Sequence, residues 1–296
     1  MQTPVTNNAP KMTDEYRWYL LQKRHHETKI CQAFERFRAE DIEPILIKGW
    51  ATARFYPPGQ SRFFADMDLA VSHASFETAK NLCNLEEIKA LNVDLHDEFR
   101  HLDSLSWDTL YQRSNLVILD ETAVRILSPE DHLRIICVHW LNDGGAFKEK
   151  LWDIYYAVER RPPNFDWDAC ISVVRENRRE WIIRTIGLAH KYLGLRIDDL
   201  PFADEAKTIP LWLLRAVEKE WSSDVSLRPL HTCLHDIRLL FRQILKRIPP
   251  NPIQATIEME GRFDSSNRFY YQVGSIFKRF LPSWRRILKA LRKPAN

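Results

Sequence analysis

The stretch from Pro44 to Val71, PILIKGWATARFYPPGQSRFFADMDLAV, constrains this chain more than any other. Its first apolar run, Ile42 to Ile47, is short and β-branched, as a buried strand would be. A Lys48-Gly49 turn follows, then a brief helical piece from Gly49 to Tyr56 that Pro57-Pro58-Gly59 stops. Asp66-Met67-Asp68 then heads a second strand, Met67 to Val71. Acids at i and i+2 on a strand point to one face. They repel each other in water, and a divalent cation removes that repulsion. Asp66 as a turn cap and Asp68 as a solvated strand residue is the alternative, because two acids two apart are common.

The elements around this stretch define a fold class. From Thr13 to Glu40, the residues Tyr16, Tyr19, Leu20, Ile30, Ala33, Phe34 and Phe37 recur at helical spacing and predict one long amphipathic helix. Phe76 to Leu85 reads as a helix. Asn92 to Phe99 alternates as a third strand, with polar residues on both faces. Leu116 to Leu119 and Val124 to Leu127 flank Asp120-Glu121 as a hairpin. Ser128-Pro129-Glu130-Asp131 then opens a helical half, with Ser as cap, Pro in the first turn and acids beside it. Breaks fall at Asp143-Gly144-Gly145, Arg161-Pro162-Pro163 and Leu200-Pro201, and Pro249-Pro250-Asn251-Pro252 closes that half. These elements predict an α+β chain, helix-rich overall, with a small mixed sheet followed by a helical bundle. The expected divisions are a tail at 1–12, a core at 13–127, a helical domain at 128–248 and a proline-rich linker with a basic helix at 249–296.

Composition narrows the class further. The 296 residues are 45% hydrophobic and 28% charged, enough for a sizeable core. A net charge of +3 does not by itself argue for nucleic acid. Eight glycines are few for an all-β chain with many tight turns. Cys31, Cys83, Cys137, Cys170 and Cys233 are odd in number and without a C-x-x-C pair, which argues for reduced thiols and against a zinc site. No signal-like or membrane-spanning run is present, so a cytoplasmic protein is expected.

The strand–turn–helix at Lys48-Gly49 offers backbone N–H groups, a positive helix end and an ammonium to phosphate. At these residues the chain resembles a family of uncharacterised nucleotidyltransferases found in bacterial biosynthetic gene clusters. The shared pattern is apolar-Lys-Gly, then Tyr-Pro, then Arg-x-x-x-Asp-x-Asp. It stands here as Lys48-Gly49, Tyr56-Pro57, Arg62, Asp66 and Asp68. Val93-Asp94-Leu95-His96, Leu127 to Asp131, His139 and Asp153 supply the later markers, and the likeness runs over roughly residues 13–250. It implies a polymerase-β-like core, with Asp66, Asp68 and Asp94 as ligands of two Mg²⁺ ions and Lys48, Gly49 and Arg62 at the triphosphate. Two such ions stand about 4 Å apart and need shared carboxylates. The wider superfamily carries Gly-Ser at this turn, so Lys48 stands where a serine is usual. The passage from Asp68 to Asp94 is short, and the site forms only if it still gathers the three carboxylates.

Other residues have two readings each. His96 is a partner of Asp94, a base on the acceptor side, or a structural histidine. His139 and Asp153 can support the site, or they can lock two helices together, with Lys148 and Lys150 as further partners for Asp153. Lys278 to Lys293 carries seven basic and no acidic residues with interleaved apolar ones. Such a segment docks on its own bundle or lies on an anionic membrane, and docking is the simpler expectation. The expected reaction moves a nucleoside monophosphate from an NTP, with ATP favoured, to an acceptor hydroxyl or phosphate. A small molecule or peptide is the expected acceptor, not a nucleic acid. The alternatives are a catalytically reduced nucleotide-binding protein on the same fold, and a toxin-like transferase acting on tRNA or protein.

Overall fold

The computed structural model of the chain describes residues 14–64, 66–99, 101–223 and 236–278. The tail at 1–12 and nearly all of the basic segment at 278–293 lie outside the described residues. The chain forms two compact units, one of residues 1–100 and 106–128, the other of 101–105 and 129–296.

The first unit opens with α1 (Asp14–Arg38). Its Ile30, Ala33, Phe34 and Phe37 form the stripe expected of a helix laid on a sheet, and all are buried. They pack on β1 (Ile45–Leu46), β2 (Met67–Val71) and β5 (Thr122–Ile126). Between β1 and β2 lies α2 (Trp50–Ala53). After β2 come α3 (His73–Leu82), α4 (Glu86–Lys89) and β3 (Val93–Asp97). Then α5 (Trp107–Arg113) leads into β4 (Asn115–Leu119), which pairs with β5 across a tight hairpin. The strand order is β3-β2-β1-β5-β4. The β1–β2 and β4–β5 pairs are antiparallel and the β2–β3 and β1–β5 pairs parallel, so the sheet is mixed.

Several boundaries differ from those read off the sequence. The first strand is two residues long instead of spanning Ile42 to Ile47. Ile42 donates to the Phe37 carbonyl and closes the end of α1, with Asp41 at φ +57°, and Pro44 has no N–H to add to a ladder. Helix α2 is shorter than the expected 49–56. Helix α3 starts at His73 because Ser72 caps it, accepting the Ser75 N–H. β3 is an edge strand, which accounts for polar residues on both its faces.

In the second unit, α6 (Pro129–Asn142) is buried almost throughout. It packs on α7 (Leu151–Glu159) and α8 (Glu176–Leu193). A three-residue 3₁₀ turn precedes α7, and a π-helical turn at Asp168–Ser172 precedes α8. Short α9 (Ala203–Lys207) crosses α8 at Gly187, where a Cβ would stand 2.1 Å from the Ala206 carbonyl oxygen. Then come α10 (Leu211–Trp221), α11 (Ile237–Arg247), α12 (Pro252–Glu258) and a helical run at 269–278. The proline cluster therefore does not end the helical half. Asn251 accepts the Ile253 and Gln254 N–H groups and Pro252 occupies the first turn, so Asn251-Pro252 is a start signal. Ile253, Ala255 and Ile257 of α12 are buried. Among the described residues no helix is long and apolar enough to cross a membrane.

A buried ionic group anchors this unit. Arg134 donates to Asp131 at 2.6 Å and Asp103 at 2.9 Å, and to the carbonyls of Ala169 and Cys170. All three charged side chains are at most 1% exposed. Arg134→Met leaves two buried carboxylates without their cation. We expect it to cost about 3–5 kcal/mol, read from urea unfolding of the full chain. An unchanged midpoint would show that the triad holds nothing together.

In the first unit Glu43 bridges Arg38, at 2.6 and 2.8 Å, and Arg125 at 3.2 Å. Burial pushes its carboxyl up, but the bonds and charges of the two arginines outweigh this and hold it below the usual range. Its stabilising contribution is thus complete above the unfolded value of about 4.3 and fades as pH falls through the lower folded value. Urea midpoints of wild type and Glu43→Gln should differ at neutral pH and converge in acid. A gap that stays constant with pH would contradict the linkage.

Candidate active site

Strand β2 is central and buried along its whole length, yet it carries Asp68. Its parallel register with β3 sets Asp68 opposite Asp94 and Ala70 opposite His96. Paired residues of a ladder face the same side, and so does the residue two further on. Asp68, Asp94 and His96 therefore converge, and one ligand-type atom from each lies within 4.8 Å of the others. The short passage from Asp68 to Asp94 is spanned by α3 and α4, and it brings these two carboxylates together.

The cluster is polarised from inside to outside. Asp68 has a side chain 11% exposed, whereas that of Asp94 is 63% exposed. Lys48 Nζ stands 2.7 Å from Asp68 Oδ1. His96 Nε2 stands 3.0 Å from the same oxygen and 3.4 Å from Asp94 Oδ2. Burial raises the Asp68 carboxyl, but the His96 hydrogen bond and the Lys48 charge outweigh it and hold its pKa below the usual range. Asp68 is thus an ionised carboxylate in a nearly dry place. Its two nitrogen partners make that arrangement tolerable.

The turn before α2 has backbone constraints of its own. Gly49 has φ +57° and ψ −112°, a conformation that disfavours any Cβ. A Cβ there would also stand 3.2 Å from the Asp66 carbonyl oxygen. Arg62 donates to the Gly49 carbonyl at 3.2 Å, so it fastens the Asp66 loop to this turn. The Ala51 N–H, at the start of α2, donates to the Lys48 carbonyl. Trp50 is buried, and its indole N–H donates to Glu27 of α1 at 3.0 Å.

Asp66 stands just ahead of β2 and is exposed, and it is not a member of the Asp68–Asp94–His96 group. Its charge instead acts on His26 of α1, partly offsetting the burial and the Lys29 and His25 charges that lower that imidazole's pKa. His26 also packs its ring on Phe64 at 5.2 Å. Sequence reading passed over His26. The available signal was its place four residues before Ile30, on the buried stripe of α1. His139 and Asp153 belong to the second unit. His139 lies 3.8 Å from Asp143, the acid that Lys150 meets at 2.9 Å. Asp153 is buried on α7.

The model of the uncharacterised nucleotidyltransferase family matches residues 2–194. The chain belongs to this family. No curated protein and no solved structure matches it. The family match ends at Gly194, the left-handed residue that closes α8, short of the residue 250 to which the resemblance was expected to run. Every residue of the cluster lies inside it.

The donor set suits a divalent cation. Two carboxylates and an imidazole within 4.8 Å are hard-to-borderline ligands, and one of the carboxylates is open to solvent. Gly49→Ala tests the scaffold beneath them. The positive φ and the Asp66 contact together should cost about 1–3 kcal/mol, measured as a lowered unfolding midpoint. A variant as stable as wild type would mean that the turn tolerates a side chain.

Proposed function

We propose that the first unit catalyses metal-dependent transfer of a nucleoside monophosphate from an NTP to an acceptor hydroxyl, with release of pyrophosphate. The observation that carries this reading is the in-register Asp68–Asp94 pair beside Lys48, in a chain of the nucleotidyltransferase family. Asp68, Asp94 and His96 would hold the divalent cation, Mg²⁺ or Mn²⁺. When bound, that ion offsets the negative charge of the phosphates.

This chain's own residues supply the rest. Asp68 is ionised at neutral pH because Lys48 and His96 stabilise its charge, so it needs no deprotonation before taking a cation. Lys48 can donate to a phosphate oxygen placed beside that carboxylate, the role expected for it at the triphosphate. Gly49 and Arg62 act through the backbone by fixing the turn that presents Lys48. Asp94 faces solvent, where an acceptor arrives, and its free oxygen can take the proton of the attacking hydroxyl. The acceptor oxygen then bonds to the α-phosphorus, the bond from that phosphorus to the β-bridging oxygen breaks, and pyrophosphate leaves with the electron pair. Asp66 would serve a second cation only through a shift of its loop. We place the transferase chemistry in residues 13–127 and take a small molecule or peptide as the acceptor.

One observation favours a second reading. Asp66 is outside the carboxylate group, and a site with one cation can bind an NTP without turning it over. Calorimetry of ATP with Mg²⁺ or Mn²⁺ on wild type, Asp68→Asn, Asp94→Asn and Asp66→Asn separates the cases. Asp68→Asn and Asp94→Asn should each weaken binding at least ~10-fold, about 1.4 kcal/mol, with Asp66→Asn smaller. Pyrophosphate release in the presence of candidate acceptors then distinguishes transfer from binding alone. If wild type binds no nucleotide at millimolar concentration with either ion, both readings fail.

A further inference from the structure

The second unit holds a cavity of about 620 Å³ between α10, α11, the turn at 249–252 and the helical run at 269–278. Every residue that lines it is numbered 212 or higher, outside the family match at 2–194. Its charge is one-sided. Arg215, Lys219, Arg242, Lys246 and Arg268 line it, against a single acid, Glu220.

That acid is already engaged. Glu220 accepts from Lys246 at 2.6 Å through one oxygen and from Asn251 at 3.1 Å through the other. Lys246 also donates to Ser223 at 2.9 Å. Arg268 is nearly buried, held by Asp264 and by the carbonyls of Arg262 and Ser266, and lies 4.6 Å over the Trp212 ring. These contacts fix the wall and neutralise two of the five cations. Arg215, Lys219 and Arg242 remain, exposed, with no acid paired to them among the described residues. Three uncompensated cations around one concavity raise the local anion concentration. Two of them are arginines, whose planar forks suit phosphate oxygens.

The same cavity has an apolar exit. Leu245 lines it and is 57% exposed. Along α11 it continues a stripe with Phe241 at 61% and Ile237 at 80%, each four residues from the next. The head of a ligand would meet charge, and its body would meet hydrocarbon.

We propose that this cavity binds a phosphate ester with an apolar body, its phosphate held by Arg215, Lys219 and Arg242 and its body laid on Leu245 and Phe241. A soluble metabolite ester and a lipid headgroup share this chemistry. The inference does not depend on the transferase reading, since no residue is common to the two sites.

Phenyl phosphate, titrated into the full chain by calorimetry, is the soluble probe, with inorganic phosphate as comparator. Sedimentation with phosphatidylcholine vesicles, with and without phosphatidic acid, is the lipid arm. Arg215→Gln/Arg242→Gln changes two exposed side chains, and thermal melts check that it folds. Wild type should bind phenyl phosphate with a Kd below ~1 mM and more tightly than inorganic phosphate, and the double variant should lose at least ~10-fold. Asp68→Asn should bind as wild type does. Vesicle binding that needs phosphatidic acid and both arginines identifies a lipid as the source. Phenyl phosphate binding without vesicle binding identifies a soluble ester. Absence of binding in both arms overturns the proposal, as does a double variant that binds like wild type or an Asp68→Asn variant that alone loses binding.

Discussion

The parallel pairing of β2 with β3 is the constraint on which the proposed site of the first unit depends. It fixes Asp68 opposite Asp94, and with it the place of His96 two residues further on. A slip of one residue would turn Asp94 and His96 to the other face of the sheet. β1 completes the arrangement from the other side. Its antiparallel register with β2 sets Leu46 opposite Leu69, and the Ile47 N–H donates to the Asp68 carbonyl. Lys48 therefore leaves the sheet beside the Asp68 side chain. The hydrogen bonds that build the sheet are the ones that assemble the charges.

Asp68 also shows why the site has to be polar in this way. A carboxylate on a strand buried along its whole length is destabilising unless it is paired. Lys48 and His96 remove that penalty and keep the group ionised. A carboxylate held ionised can take a cation at once, whereas one made neutral by burial would first have to lose a proton. The same two nitrogens that stabilise the buried charge keep Asp68 in the form that the proposed metal site requires. Asp94 carries no such restriction, because its side chain is largely in water.

The elements most legible in the sequence were those whose local signal and tertiary role agree. Strand β2 has the limits its apolar run implies, the β4–β5 hairpin turns at Asp120-Glu121, and α6 begins at Pro129. Structure adds most to the sequence where a tertiary contact decides. Asp66 and Asp68 look alike in sequence, but the ladder begins at Met67, so only Asp68 is held by the sheet. The glycine at 49 reads as access for phosphate, and the structure adds a backbone reason in its φ and in the Asp66 carbonyl. Asn251-Pro252 carries both a stop and a start signal. The burial of Ile253 and Ile257, which sequence alone does not display, decides for the start.

The division into two units has a physical complication that a linear boundary hides. Residues 101–105 belong to the second unit although α5, β4 and β5 of the first unit follow them. The tie is chemical. Asp103 meets Arg134 in the buried triad, and the carbonyls of His101 and Leu102 accept from Arg178. A fragment starting at Pro129 would keep Arg134 and Asp131 but lose Asp103, leaving a buried guanidinium with one of its two carboxylates. It would also strip Arg178 of two acceptors. The five-residue excursion supplies further acceptors to two guanidiniums of the helices after Ser128. The second unit is therefore discontinuous in sequence, and it includes a piece of chain from before β4.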